Sequence, residues 1–240
     1  MVKKLTSKNV VHNALPTLLI EDDHTASSAL KKSTFIGPLR EWTSFLGSVW
    51  GLTNVEQWSK KVVDHNLATR DLHRELISMG DEHGVQGRFQ QSFGDFKAAG
   101  VQYNLVPDFA LISTDPATTY KLKAIGEMKT PWVEAHNFQN YDGDELAMRK
   151  LLAQPVGYML DLRIMYGWIT NYQQTIFLRQ TMVGNTWGIE YSPIVKSTTH
   201  ADPLEMGPPS TKQCFFFLAS VAAGQGRVPN YTPRNQWISI

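Results

Sequence analysis

Asp108-Phe109-Ala110-Leu111-Ile112-Ser113 is followed by Thr114-Asp115-Pro116-Ala117-Thr118 and then by a run from Tyr120 to Lys129 that ends Gly126-Glu127-Met128-Lys129. The first run reads as a strand, the Asp-Pro interval as a turn, and the second run as a returning strand. Successive strand side chains leave opposite faces, so Glu127 and Lys129 share one side while Met128 points to the other, towards an expected core. Where the two strands pair, Asp108 reaches the side of Glu127 and Lys129.

Two carboxylates and one ammonium at one place are costly unless a divalent cation neutralises the carboxylates, and hard oxygen ligands of this sort suit Mg²⁺ or Mn²⁺. The amine is then placed to orient or help deprotonate an attacking water and to stabilise charge growing on a phosphate, while the metal acts as a Lewis acid. The same residues also make an ordinary solvated strand face with a turn aspartate, and on these residues alone both readings stand.

Residues 145–165 are helix-like in composition apart from Pro155 and Gly157. Within them Gln154-x-x-x-Tyr158 places an amide and a phenol on one helical face. Both can bond a nucleobase, a phosphate or a metal-bound water. Pro155 removes a backbone donor, so a helix start or kink is expected near Gln154. The plainer alternative makes Tyr158 a core aromatic and Gln154 a helix-end residue.

Taken in order, the Asp, the Glu-x-Lys pair and the downstream Gln-x-x-x-Tyr resemble the PD-(D/E)XK nuclease superfamily, and more closely its RecB-like branch. The series Pro-Asp-Phe, Ile-Gly-Glu-Met-Lys-Thr-Pro-Trp, Gln-Pro-x-Gly-Tyr-Met and Tyr-Gly-x-Ile-Thr-Asn-Tyr is also similar to fungal proteins carrying such a domain, sometimes beside kinase-like domains. The resemblance covers about residues 80–195. It implies a restriction-endonuclease-like α/β fold, a central mixed sheet flanked by helices, and metal-dependent hydrolysis of phosphodiester bonds in DNA, or less favourably RNA. On this resemblance Asp108, Glu127 and the Met128 carbonyl bind Mg²⁺ or Mn²⁺, Lys129 positions the water, and Gln154 and Tyr158 hold substrate or a metal-bound water. A nuclease-fold interaction module without catalysis, acting as an effector or regulator, is the rival reading.

The superfamily often adds a carboxylate from a helix ahead of the Asp-bearing strand, and Glu82 is the candidate for that metal ligand. Val85, Phe89, Phe93 and Phe96 make an apolar helical stripe, and Glu82 lies near its edge. Arg88 is a candidate phosphate contact. An acidic residue also suits the first turn of any helix.

The 240-residue chain, 42% hydrophobic, is long enough for a substantial core. It is read as a single domain over 1–240, with a helical N-terminal portion at 1–79, a nuclease core at 80–195, and a C-terminal helix and tail at 196–240. Helices are expected at about 37–49, 54–79 and 211–223, and strands at 166–170, 174–180 and 186–191. Thr53-Asn54 is read as an N-terminal cap. Asp142-Gly143-Asp144-Glu145 lacks calcium-loop spacing and reads as a turn that caps the next helix.

One cysteine, Cys214, excludes an internal disulfide and a cysteine-based zinc cluster. No apolar run approaches a membrane span, so no membrane partner and an intracellular site, nuclear or cytoplasmic, are expected. With 23 basic against 22 acidic residues the chain has no overall basic footprint. Any nucleic-acid path must therefore be local, and Lys31-Lys32, Lys60-Lys61 and Arg149-Lys150 are its candidates. Self-pairing as a homodimer is left open.

Overall fold

The computed structural model describes residues 2–20, 22–24, 30, 32–55, 58, 62–66, 85, 107–114, 120–202 and 204–240. The first half contributes β1 (Val2–Thr6), α1 (Ser7–His12), β2 (Thr34–Phe35), β3 (Leu39–Glu41), α2 (Phe45–Val55) and β4 (Val62–Asn66). Then come β5 (Phe109–Thr114), β6 (Tyr120–Met128), α3 (Glu145–Asp161), β7 (Tyr166–Thr170), β8 (Gln174–Val183) and β9 (Thr186–Tyr191). The chain closes with β10 (Val195–Lys196), α4 (Thr211–Gly224) and β11 (Ile238–Ser239).

A seven-stranded mixed sheet runs β3-β9-β8-β7-β6-β5, with β10 on β8. The hairpin read from residues 108–129 is there: β5 and β6 pair antiparallel, with Phe109 opposite Gly126 and a bulge between Leu111 and Ile112. β6 and β7 are parallel, joined through α3, so the return crosses one face of the sheet on a helix. β7, β8 and β9 form an antiparallel meander, and β3 pairs parallel to β9.

Strand alternation divides two cores. On one face Ile125, Ile169, Ile176 and Ile189 meet Leu151, Leu152, Val156 and Met159 of α3. On the other Phe109, Met128, Trp168 and Phe177 meet Phe45 and Val49 of α2 and Cys214, Phe217 and Leu218 of α4. Each such side chain stabilises by roughly 1.5–3 kcal/mol when fully buried. All five residues of β7 are buried, as a strand covered on both faces requires. Gly126 lies opposite Trp168 in the parallel ladder, and a Cβ there would overlap the indole. The glycine marks that close approach.

The second half matches the sequence reading closely: β7 and β9 have the expected bounds, and β8 extends three residues further, to Val183. Tyr172 and Gly184 take left-handed φ of 71° and 63° in the turns between β7 and β8 and between β8 and β9. The Asp144 side chain accepts the Ala147 N–H at 3.0 Å and caps α3 as expected. α3 then runs through Pro155 without starting or ending there, and stops at Asp161 rather than at residue 165. Its end is a Schellman motif: Arg163 takes φ 52°, its N–H donates to Leu160 O, and the Ile164 N–H donates to Met159 O.

The N-terminal portion is not simply helical. Residues 39–41, expected in a helix, pair with β9, and helix α2 begins only at Phe45. Thr53 lies inside α2 rather than capping a following helix, its hydroxyl donating to Val49 O at 2.9 Å. Residues 62–66, expected in a long helix, form β4 against β1. Pairing with strands distant in sequence has overridden local helix preference at both places.

Candidate functional site

The site forms where β6 ends. Ile125 and Glu127 face α3, and Met128 is buried on the opposite face, as the alternation predicted. The Lys129 N–H donates to Thr170 O at 2.8 Å, prolonging the parallel ladder one residue past the end of the strand. Asp108, one residue ahead of β5, turns its carboxylate onto this end: Oδ2 accepts the Met128 N–H at 2.7 Å. An extended residue directs its N–H and C=O to the same strand edge, so the Met128 carbonyl also opens towards Asp108.

From above, α3 lowers Gln154 and Tyr158, one turn apart on one face, as their spacing predicted. Gln154 Nε2 donates to Tyr158 Oη at 2.9 Å and, through a short bond, to Glu127 Oε1. Gln154 Oε1 accepts from Lys129 Nζ at 3.1 Å. The amide orientation follows from these partners, since the reverse would set its oxygen against a carboxylate. Lys129 Nζ also donates to Glu127 Oε1 at 2.8 Å. Glu127 is 3% exposed, and the Lys129 side chain 13%.

Burial pushes the Tyr158 phenol above its ordinary value, with the negative charges of Glu127 and Asp108 adding to the rise and the Gln154 hydrogen bond and Arg234 opposing it. Tyr158 therefore stays a neutral O–H at physiological pH, and it senses both carboxylates.

Asp108, Glu127, Met128, Lys129, Gln154 and Tyr158 are thus brought together. Glu82 and Arg88 lie outside the described residues. Val85, in the same stretch, is fully buried in the core that the sheet shares with α2 and α4. Among the described residues no group of three or more His, Cys, Asp or Glu side chains is arranged to hold a metal ion. The donor set at the site is two carboxylates and a backbone carbonyl. Mg²⁺ is commonly held by one or two carboxylates, with water and substrate phosphate completing its octahedron, so these groups suit it.

Of the basic clusters, Arg149 is committed to structure: it pairs with Glu145 and donates to the carbonyls of Phe35 and Gly37. Lys31, Lys60 and Lys61 lie outside the described residues. Sequence reasoning missed the buried polar residues Thr130, His136 and Asn171 next to Lys129. Their only signal is a histidine and an asparagine 35 residues apart, with no spacing that links them.

Among the described residues no helix is long and apolar enough to cross a membrane. Compared with known protein families, curated proteins and solved structures, the chain matches none.

Proposed function

We propose that this chain is a divalent-metal-dependent nuclease of the PD-(D/E)XK type, RecB-like branch, hydrolysing phosphodiester bonds in DNA in preference to RNA. The observation that carries this reading is the meeting of Asp108, Glu127, Lys129 and the Gln154–Tyr158 pair, drawn from two strands and a helix, in a single hydrogen-bonded cluster. A parallel strand pair bridged by a helix, with an antiparallel strand before it, is compatible with a restriction-endonuclease-like core.

Asp108, Glu127 and the Met128 carbonyl would hold Mg²⁺ or Mn²⁺, which when bound supplies Lewis-acid polarisation and a more acidic water. Lys129 has three N–H donors, and Glu127 and Gln154 take two. The third is left for the attacking water or a phosphate oxygen. Gln154 holds the amine and Glu127 in register, and Tyr158 stays protonated beside them.

The test is incubation with linear, circular and single-stranded DNA and with RNA, in Mg²⁺, Mn²⁺ or EDTA. Metal-dependent loss of full-length DNA, abolished by EDTA and by Asp108→Asn, is expected. The second reading, an interaction module without catalysis, draws on one observation: Glu127 Oε1, Lys129 Nζ and the Gln154 amide bond directly to one another, as a structural ion pair does. Nucleic-acid binding with no cleavage in any condition would select it.

A further inference from the structure

Lys129 sits where β6 leaves the sheet, so the direction of its side chain depends on how firmly the next peptide is held. On the N-terminal side the Lys129 N–H is fixed to Thr170 O. On the C-terminal side the chain turns through Thr130 into Pro131, and no strand partner continues. The holding is done instead by a buried polar chain that the proposed chemistry does not use.

His136 is fully buried, and its Nδ1 lies 3.0 Å from the Thr130 carbonyl and 3.1 Å from Thr130 Oγ1. A carbonyl oxygen only accepts, so Nδ1 carries the proton and donates to it, with the hydroxyl sharing the same donor. His136 is itself anchored: its carbonyl accepts Asn171 Nδ2 at 2.7 Å, and its N–H donates to Val133 O. Asn171 Oδ1 in turn accepts the Gln174 N–H at 2.7 Å, fastening the whole chain to the turn between β7 and β8. A second clasp holds the same loop, since Gln174 Oε1 accepts the Phe138 N–H and Gln174 Nε2 donates to Asn137 Oδ1.

Thr130, His136 and Asn171 are each at most 3% exposed. Burying that much polarity is unfavourable compared with apolar side chains of equal volume, and what it confers is one defined geometry. That geometry ends on Thr130, the residue that follows Lys129. We infer that His136 and Asn171 are positioning residues for Lys129, holding its amine onto Glu127 and Gln154 by fixing the Thr130 peptide. The inference rests on the proposed role of Lys129, and its test has one readout that does not need cleavage.

His136→Phe fills the ring volume without a donor, whereas His136→Asn restores an N–H near the Nδ1 position. In the full chain with Mg²⁺, His136→Phe should lower kcat by about tenfold or more with KM nearly unchanged, and His136→Asn should recover most of the loss. Trace acetylation of lysines, read by mass spectrometry, should show Lys129 several times more reactive in His136→Phe than in the native chain, and near native again in His136→Asn. If His136→Phe does not fold, His136→Gln, which sets its donor one bond too far, takes its place with the same expectation. Unchanged Lys129 reactivity in a folded variant, or equal loss in the Phe and Asn variants, overturns the positioning role. A native chain that cleaves nothing while Lys129 reactivity still follows the donor supports the positioning and removes only the nuclease reading.

Discussion

Asp108 Oδ2 accepts the backbone N–H of Met128 at 2.7 Å, which pins a carboxylate from one strand beside the residue between Glu127 and Lys129 on the next. The bond has two consequences, one for stability and one for chemistry, and they separate by substitution. Asp108→Ala removes a charged acceptor of a half-buried N–H and should cost roughly 1.5–3 kcal/mol. Asp108→Asn keeps an acceptor and should melt close to the native chain, yet lose cleavage by on the order of a hundredfold or more. Paired urea unfolding and DNA-cleavage assays check both, and an active Asp108→Asn protein would remove Asp108 from the metal site.

Glu127 and Lys129 form an ion pair at 2.8 Å with little access to water. Removing one partner strands the other, so Glu127→Gln and Lys129→Met should each destabilise by about 3 kcal/mol, towards the low end for buried pairs because Lys129 keeps some exposure. The double variant should be less destabilised than the sum, by about 1–3 kcal/mol. Additive losses in denaturant unfolding would show that the pair is not energetically coupled.

Tyr158 is raised above its ordinary value of 10.0, first by burial and then by the charges of Glu127 and Asp108. A group with a raised folded pKa contributes stability that is complete below its unfolded pKa and lost as pH rises through the folded one. Part of the alkaline loss of stability above about pH 10 should therefore disappear in Tyr158→Phe. Mg²⁺ bound at the two carboxylates should draw the Tyr158 titration downward. Phenolate absorbance, taken as the difference from Tyr158→Phe with and without Mg²⁺, measures this, and a titration indifferent to Mg²⁺ counts against binding there.

His12 joins α1 to the C-terminal helix. Its Nδ1 donates to Lys8 O at 2.7 Å, and its Nε2 accepts from Gln213 Nε2, which also donates to Thr53 Oγ1. Every proton in this cluster is assigned only when His12 is neutral. Burial holds its pKa below the ordinary 6.5, with Lys8 and His200 opposing its charge and the Lys8 carbonyl and Asp202 favouring it. A lowered folded pKa contributes stability that is present above the unfolded value and lost as pH falls through the folded one. Thermal melts should therefore decline below about pH 6.5, and less so in His12→Asn. Equal acid sensitivity in the two proteins would place the loss elsewhere.

The hairpin and the Gln154–Tyr158 face were readable because each depends on short-range periodicity: two in a strand, four in a helix. The opposite facing of Met128 and Glu127 followed from the same rule. The first sixty-six residues were misread at β3 and β4, because those strands exist only through partners far along the chain, β9 in one case and β1 in the other. Helix α3 passes through Pro155 because packing against the sheet outweighs one missing backbone bond.

Local spacing alone thus specified which side chains share a face: Glu127 with Lys129, and Gln154 with Tyr158. That these two faces meet, that Asp108 turns onto the Met128 peptide, and that Asn171 reaches the His136 carbonyl was settled by the folding of α3 and the 130–144 loop over the end of β6. Alternation and helical pitch are written into consecutive residues, whereas contacts between residues twenty to forty positions apart arise only once distant apolar faces have been buried together.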